Sequence, residues 1–247
     1  MPWLSKAGEP AYIQFAERAI GNEKLFNTFK SQMPWMYVVG TGEQWHAMQC
    51  AKSVSKVPEV QANLETFGKN DTIGLPETLK MKNGSPIGFD TIRFAENVSY
   101  LFKTFGDLTG KRITEFGSNY GGMSYCLLSQ WSGVSAYHCI DLPQIQTFQR
   151  SYLSKLGFEH SALKYEEPTE QANIFISEYA LTEFTPEDRT ALYEKYCKNA
   201  DGFLLRANIP DPKEEHTFFE MLRATFKVQI IPEPVCRKVN KLVLGTR

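Results

Sequence analysis

The stretch Ile113-Thr-Glu115-Phe-Gly117-Ser118-Asn119-Tyr120-Gly121-Gly122 decides the fold of this chain. Apolar residues lead into a carboxylate, a tight glycine-bearing loop follows, and then apolar residues recur at helical spacing (Met123, Cys126, Leu127, Leu128, Trp131). The order is strand, loop, helix. A parallel α/β sheet makes a nucleotide-sized site in this way, where a strand's carboxyl end meets a helix's amino end. Working outward, strands are expected at 111–116, 135–140, 162–165, 173–177 and 202–207, with helices at 122–131, 143–156, 186–197 and 214–226 between or after them. Pro143 falls in a first helical turn, where its missing N–H costs nothing, and Thr185 caps the helix after it. The last two strands, 227–231 and 241–244, are joined through Pro232-Glu233-Pro234 without a helix, so they must pair antiparallel. The pattern predicts an α/β fold: a Rossmann-like, doubly wound sheet of seven strands closed by a C-terminal antiparallel hairpin.

Upstream the signal is helical. Apolar positions from Tyr12 to Phe29 predict a helix over 10–31, which Pro34 stops, and shorter helices are expected at 45–50 and 57–67. The segment 68–76 is rich in turn formers, and Asn83-Gly84 marks a turn in a small hairpin. Residues 89–105 return to helical spacing with Asp90 as the expected cap. The chain thus divides into a helical N-terminal cap or lid region, 1–85, and a Rossmann-like domain, 86–247.

The 247 residues carry 42% hydrophobic and 22% charged residues and a net charge of −1, which gives no electrostatic footprint for nucleic acid. The N-terminus lacks the basic start and apolar core of a secretory signal, and no apolar run approaches the ~20 residues of a membrane helix. Five cysteines without paired spacing point to reduced thiols in a cytoplasmic protein. Of the four histidines, only His216 falls near the expected site. No two of them share ligand spacing with carboxylates, so no metal site is expected.

The loop discriminates among ligands. A phosphate-binding P-loop would need a lysine after the last glycine, and none follows Gly121-Gly122. A dinucleotide site would place a glycine where Asn119 stands. Glu115, at the strand end, would oppose a pyrophosphate but suits a ligand bearing an ammonium and a sulfonium. S-adenosylmethionine is such a ligand, and its carboxylate can use the helix-end N–H groups. Asp141, about twenty residues on, is placed to bind ribose hydroxyls.

With these residues the chain resembles the class I S-adenosylmethionine-dependent methyltransferases, and within them a group of sugar O-methyltransferases. The resemblance runs from about Asn70 to the C-terminus. It rests on Asn70-Asp71-Thr-Ile-Gly74-Leu-Pro76, Thr91-Ile-Arg93-Phe, Glu115 to Gly122 and Ile140-Asp141-Leu142-Pro143. Further on it rests on Ser177-Glu-Tyr179-Ala-Leu-Thr-Glu183, Asn208, and Pro232-Glu233-Pro234 followed by Asn240. It implies that S-adenosyl-L-methionine is held by Glu115, Gly117, Ser118, Asn119, Tyr120, Gly121, Gly122, Asp141, Leu142 and Arg93. It also implies a sugar or glycan precursor as methyl acceptor. The chain departs from the family at Glu178, where the family carries an asparagine.

A hydroxyl acceptor needs a base near the sulfonium, at the carboxyl ends of the strands. Glu183 is the first candidate, with Glu178, Asn208, Tyr120 and Arg206 beside it. The N-terminal aromatics Trp35, Tyr37 and Trp45 are expected in the core or stacked under a sugar ring. The rival readings are a methyltransferase for another small molecule or RNA, and a binding protein that keeps the donor site without chemistry.

Overall fold

In a computed structural model the structure describes residues 10–39, 44–81, 84–233 and 239–247. The N-terminal part is helical but finely divided. Helix α1 (Pro10–Ile20) ends before Gly21, and Asn22 caps a separate turn, α2 (Glu23–Phe26), with its side chain accepting from Leu25 N at 3.0 Å. The single helix expected over 10–31 is therefore broken by a glycine and a competing cap. Pro34 does not stop the helical region. It sits in the first turn of α3 (Met33–Val39), where proline is tolerated. Helices α4 (Gln44–Val54), α5 (Pro58–Gln61) and α6 (Leu64–Gly68) follow, so the run 57–67 is two short helices.

The expected hairpin is present as β1 (Thr78–Lys80) and β2 (Pro86–Gly88), although Asn83 itself lies outside the described residues. Helix α7 (Phe89–Phe105) starts from Gly88, not from an Asp90 cap; Asp90 is in its first turn and buried. Then come β3 (Arg112–Phe116), α8 (Gly122–Gln130), β4 (Ala136–Ile140), α9 (Pro143–Lys155), β5 (Leu163–Lys164) and β6 (Ile174–Glu178). Helix α10 (Pro186–Leu192), β7 (Gly202–Asn208), α11 (Pro212–Arg223), β8 (Lys227–Pro232) and β9 (Asn240–Thr246) complete the chain. Thr185 caps α10 as expected, accepting from Asp188 N at 3.2 Å.

Seven strands form one sheet in the order β5-β4-β3-β6-β7-β9-β8. The first five are parallel; β9 runs antiparallel between β7 and β8. Successive strand residues serve opposite faces. Ile174, Ile176 and Leu204 join the core beneath the N-terminal helices, α7, α8 and α9, whereas Phe175, Phe203 and Leu205 join the core beneath α10 and α11. No helix among the described residues is long and apolar enough to cross a membrane.

The N-terminal helices are strapped on by buried polar contacts. Lys30 Nζ, 1% exposed, donates to Asn70 O at 2.5 Å and to Tyr152 Oη on α9 at 3.3 Å. Asn70 Nδ2 donates to Thr91 and to Tyr120, and Asp71 accepts from Gly88 N at 2.6 Å. The motif Asn70-Asp71 is a fastening between segments.

A second fastening is wholly charged. Arg206, in β7 and 1% exposed, donates to Glu96 Oε2 of α7 at 2.7 Å, to Glu233 Oε1 beyond β8 at 2.7 Å and to Asn97 Oδ1 at 2.9 Å. Breaking a buried ion pair from one side leaves carboxylates stranded in low dielectric. Arg206→Met is expected to cost about 3–5 kcal/mol, read as a fall in urea midpoint; an unchanged midpoint would show that the network contributes nothing net.

Candidate functional site

The elbow between β3 and α8 is built by three unusual backbone conformations. Gly117 (φ 79°) turns the chain off the strand, and a Cβ there would run into Ala180 Cβ. Asn119 (φ 50°) is the residue type that tolerates the left-handed region, and its Oδ1 accepts from Tyr120 N at 2.7 Å. Gly121 (φ 89°) starts the helix, packed so closely on Gln149 that a side chain would not fit. Opposite, the turn after β6 carries Tyr179 at φ 63°, costly for an aromatic residue. Its N donates to Arg206 O at 2.8 Å and its hydroxyl to Glu233 Oε2 at 2.6 Å, which hold it there.

These two elbows face each other across a cleft of ≈ 660 Å³, part of it open to solvent. Of the predicted donor-site residues, Glu115, Gly117, Ser118, Asn119, Tyr120, Gly122, Asp141 and Arg93 line it. Gly121 shapes the elbow from behind. Leu142 is not among the lining residues; its N–H donates to Asp141 Oδ1 at 2.8 Å. Glu178 and Glu183, expected as acceptor-side residues, line the cleft as well. Asn208 does not: its Oδ1 accepts from the Thr182 hydroxyl at 2.7 Å, which fixes the turn Ala180–Glu183 to the end of β7. Arg206 lies buried beneath the site, and His216 is exposed on α11 away from it. Trp35 is in the core against Tyr12 and Phe29, Trp45 is 45% exposed, and of the Tyr37 side chain nothing is described.

The cleft is acidic. Glu115, 2% exposed, accepts from Tyr137 Oη at 2.8 Å. Burial pushes its carboxyl well above the ordinary range; the Tyr137 bond opposes this, and Glu178 and Asp141 add to it. Asp141 is raised to about 6 by burial, although its carboxylate accepts from Asn119 N at 2.7 Å and from Leu142 N. Glu178 is likewise raised by burial, against Arg93 (Nε at 3.3 Å) and Arg206 (Nε at 3.7 Å). Burial pulls Arg93 down, but Asp90 and Glu178 outweigh it and keep the guanidinium charged.

Sequence reasoning missed Tyr12. It arrives from α1, is 2% exposed, lines the cleft, and shares a hydrogen bond with the Asn119 side chain. Only the amphipathic spacing of α1 hinted that this face is buried.

The sheet order and the elbow can be set against known structures. The chain shares the fold of magnesium protoporphyrin IX methyltransferase from Synechocystis PCC 6803. That structure, solved with S-adenosylmethionine bound, aligns with a TM-score of 0.51 and 11% identity over 63% of this chain and 78% of its own. At that identity the likeness speaks for the fold alone. Weaker likenesses, which carry no argument, are to the pyocyanin biosynthetic protein PhzM (TM-score 0.45, 16% identity, 64% of this chain and 57% of that one) and the mitomycin 7-O-methyltransferase MmcR (0.43, 11%, 98% and 70%). No protein-family model and no curated protein matches the sequence.

A carboxyl raised on folding stabilises the fold while protonated, and that stability is lost as pH climbs toward the folded-state value. For Asp141 the window is about pH 4 to 6. The ligand-free chain is expected to lose stability across it, and Asp141→Asn to remove up to about 1.4 kcal/mol per pH unit of that slope, measured by urea unfolding at stepped pH. Parallel slopes in the two proteins would refute the assignment.

Proposed function

We propose that this chain is an S-adenosylmethionine-dependent methyltransferase acting on a hydroxyl, with a sugar or glycan precursor as acceptor. The observation that carries the reading is the convergence of three buried or half-buried carboxylates, Glu115, Asp141 and Glu178, on one glycine elbow, with the Arg93 guanidinium lining the same cleft. That donor set suits a ligand with two cationic centres, a carboxylate and a diol. A phosphate would meet repulsion from each acid. On this reading Asp141 takes the ribose hydroxyls, Glu115 faces the ammonium side, and Arg93 and the first N–H groups of α8 take the carboxylate. Gly117 and Gly122 let the backbone approach closely, since a Cβ on Gly122 would meet Phe94 and Tyr120. Tyr12 covers this donor site from the 1–85 region.

The bound donor supplies an already activated methyl group on a good leaving group. The protein's tasks are then to position the hydroxyl, exclude water and remove one proton. Glu178 is held by two guanidiniums, which lowers its worth as a base. Glu183 lines the same wall and is the residue assigned to accept the hydroxyl proton. Alignment of acceptor and donor accounts for up to ~7–11 kcal/mol of barrier reduction, and the base for ~10²–10⁴-fold in rate. The family resemblance supports a sugar acceptor, and buried free cysteines (50, 126, 139 and 197) support a reducing, cytoplasmic setting.

One observation favours a second reading, a donor-binding protein without chemistry: the asparagine position of the family is Glu178, locked against Arg93 and Arg206. Calorimetry with S-adenosylhomocysteine tests the donor site. Binding is expected, weakened at least ~10-fold in Asp141→Ala, a loss of about 1.4 kcal/mol; no binding, or equal binding by the variant, overturns it. Methyl transfer to a panel of sugar nucleotides and glycans then separates the two readings. Glu183→Gln should lower kcat by ~10²–10⁴-fold with donor affinity kept, and turnover surviving within a few-fold would remove Glu183 as the base.

A further inference from the structure

Behind the cleft, α4 and α7 press together a set of donors of a different kind. His46 and Cys50 are four residues apart on α4 and so share the face turned to α7, from which Glu96 projects. One imidazole nitrogen, the thiol sulfur and one carboxylate oxygen of these residues all lie within 4.8 Å of one another. The three residues are 6%, 1% and 8% exposed. Cys50 Sγ donates to Glu96 Oε2 at 3.2 Å. His46 Nε2 is buried with no hydrogen-bond partner, and Glu233 Oε2 lies 4.0 Å from it. A buried polar atom without a partner in a polar cluster asks for an explanation.

The charges around it point the same way. Two guanidiniums, Arg93 and Arg206, face four carboxylates, Asp90, Glu96, Glu178 and Glu233, in one buried volume. Both oxygens of Asp90 also lack hydrogen bonds. Carboxylates outnumber guanidiniums here, although at His46 itself Arg206 and Arg93 act more strongly than Glu233 and Glu96.

We propose that His46, Cys50 and Glu96 bind one divalent transition-metal ion, with zinc the fitting choice. The donor set is nitrogen, sulfur and oxygen, which a borderline-soft tetrahedral cation accepts and magnesium or calcium does not favour. Bonds of about 2.0–2.3 Å place tetrahedral ligand atoms about 3.5 Å apart; the sulfur and oxygen already stand 3.2 Å apart, so the imidazole needs to close by roughly 1 Å. On binding, the Cys50 thiol gives its proton to solvent and its sulfur becomes the ligand. Glu96 Oε2, which accepts from both the thiol and Arg206, exchanges the thiol for the ion and keeps Arg206 as the outer partner that orients it. His46 Nε2 gains the partner it lacks. The ion would pin α4 to α7, the helix that carries Arg93 into the cleft. This assignment is independent of the donor reading above.

The test uses the full chain stripped with a chelator and titrated with Co(II). One equivalent is expected to bind with a sulfur-to-cobalt charge-transfer band in the near ultraviolet, and Zn(II) should displace it. Cys50→Ser should abolish the band and His46→Gln should weaken binding at least ~10-fold. In the unmutated chain, Zn(II) should slow alkylation of the Cys50 peptide by iodoacetamide at least ~10-fold, which needs no variant to fold. Failure of the folded chain to take up Co(II), a band that survives Cys50→Ser, or alkylation of Cys50 unaffected by Zn(II) would each overturn the proposal.

Discussion

The guanidinium of Arg206 is the constraint on which the rest of this structure depends. It lies in the sheet with no contact to solvent, and its neutralising partners come from places far apart in the chain: Glu96 from α7, and Glu233 from beyond β8. Desolvating three charges is tolerable only when each is met at close range. The consequence is positional. The helix that leads into the sheet, the strand beneath the cleft and the entry to the terminal hairpin have one relative placement that satisfies this arginine. The same placement presents Arg93, one turn before Glu96 on α7, to the cleft.

That geometry also accounts for Glu178. Its carboxylate lies within reach of both arginines, 3.3 Å from Arg93 Nε and 3.7 Å from Arg206 Nε. Its presence at the end of β6 therefore follows from the buried network as much as from the cleft it borders. The backbone tells a similar story: Tyr179, next in sequence, is held in an unfavourable conformation by bonds to Arg206 and Glu233, so the wall of the cleft is shaped by the network behind it.

Much of this was legible in the sequence, for identifiable reasons. The strands of the sheet are buried apolar runs, and their alternation with helices fixed their type; the elbow announced itself through Gly117, Asn119 and Gly121. The glycine loop and both acids, Glu115 and Asp141, fall where a parallel sheet presents them. Helix boundaries upstream were harder. Gly21 and Asn22 divide a helix that apolar spacing joins, and Pro34 begins a helix although it reads as a stop. Tyr12 and the Arg206 network could not be read at all, because they depend on contacts across 27 to 110 residues that no local pattern encodes. Asn208 looked like an acceptor ligand because it ends a strand; the Thr182 hydroxyl had already claimed it.

The placement of β9 between β7 and β8 has a consequence for how the molecule is made. Asn208 pairs with Asn240, and Gly202 with Thr246, so the open edge of β7 is covered only by residues that leave the ribosome some thirty or more positions later. Until then five parallel strands expose an unpaired border, and Arg206 on that border has Glu96 but not Glu233. Synthesis thus yields first a nascent sheet whose rim arginine lacks one of its two close carboxylates; Glu233 then supplies the second, and β9 afterwards seals the edge. Chaperone engagement during translation would be concentrated in that interval.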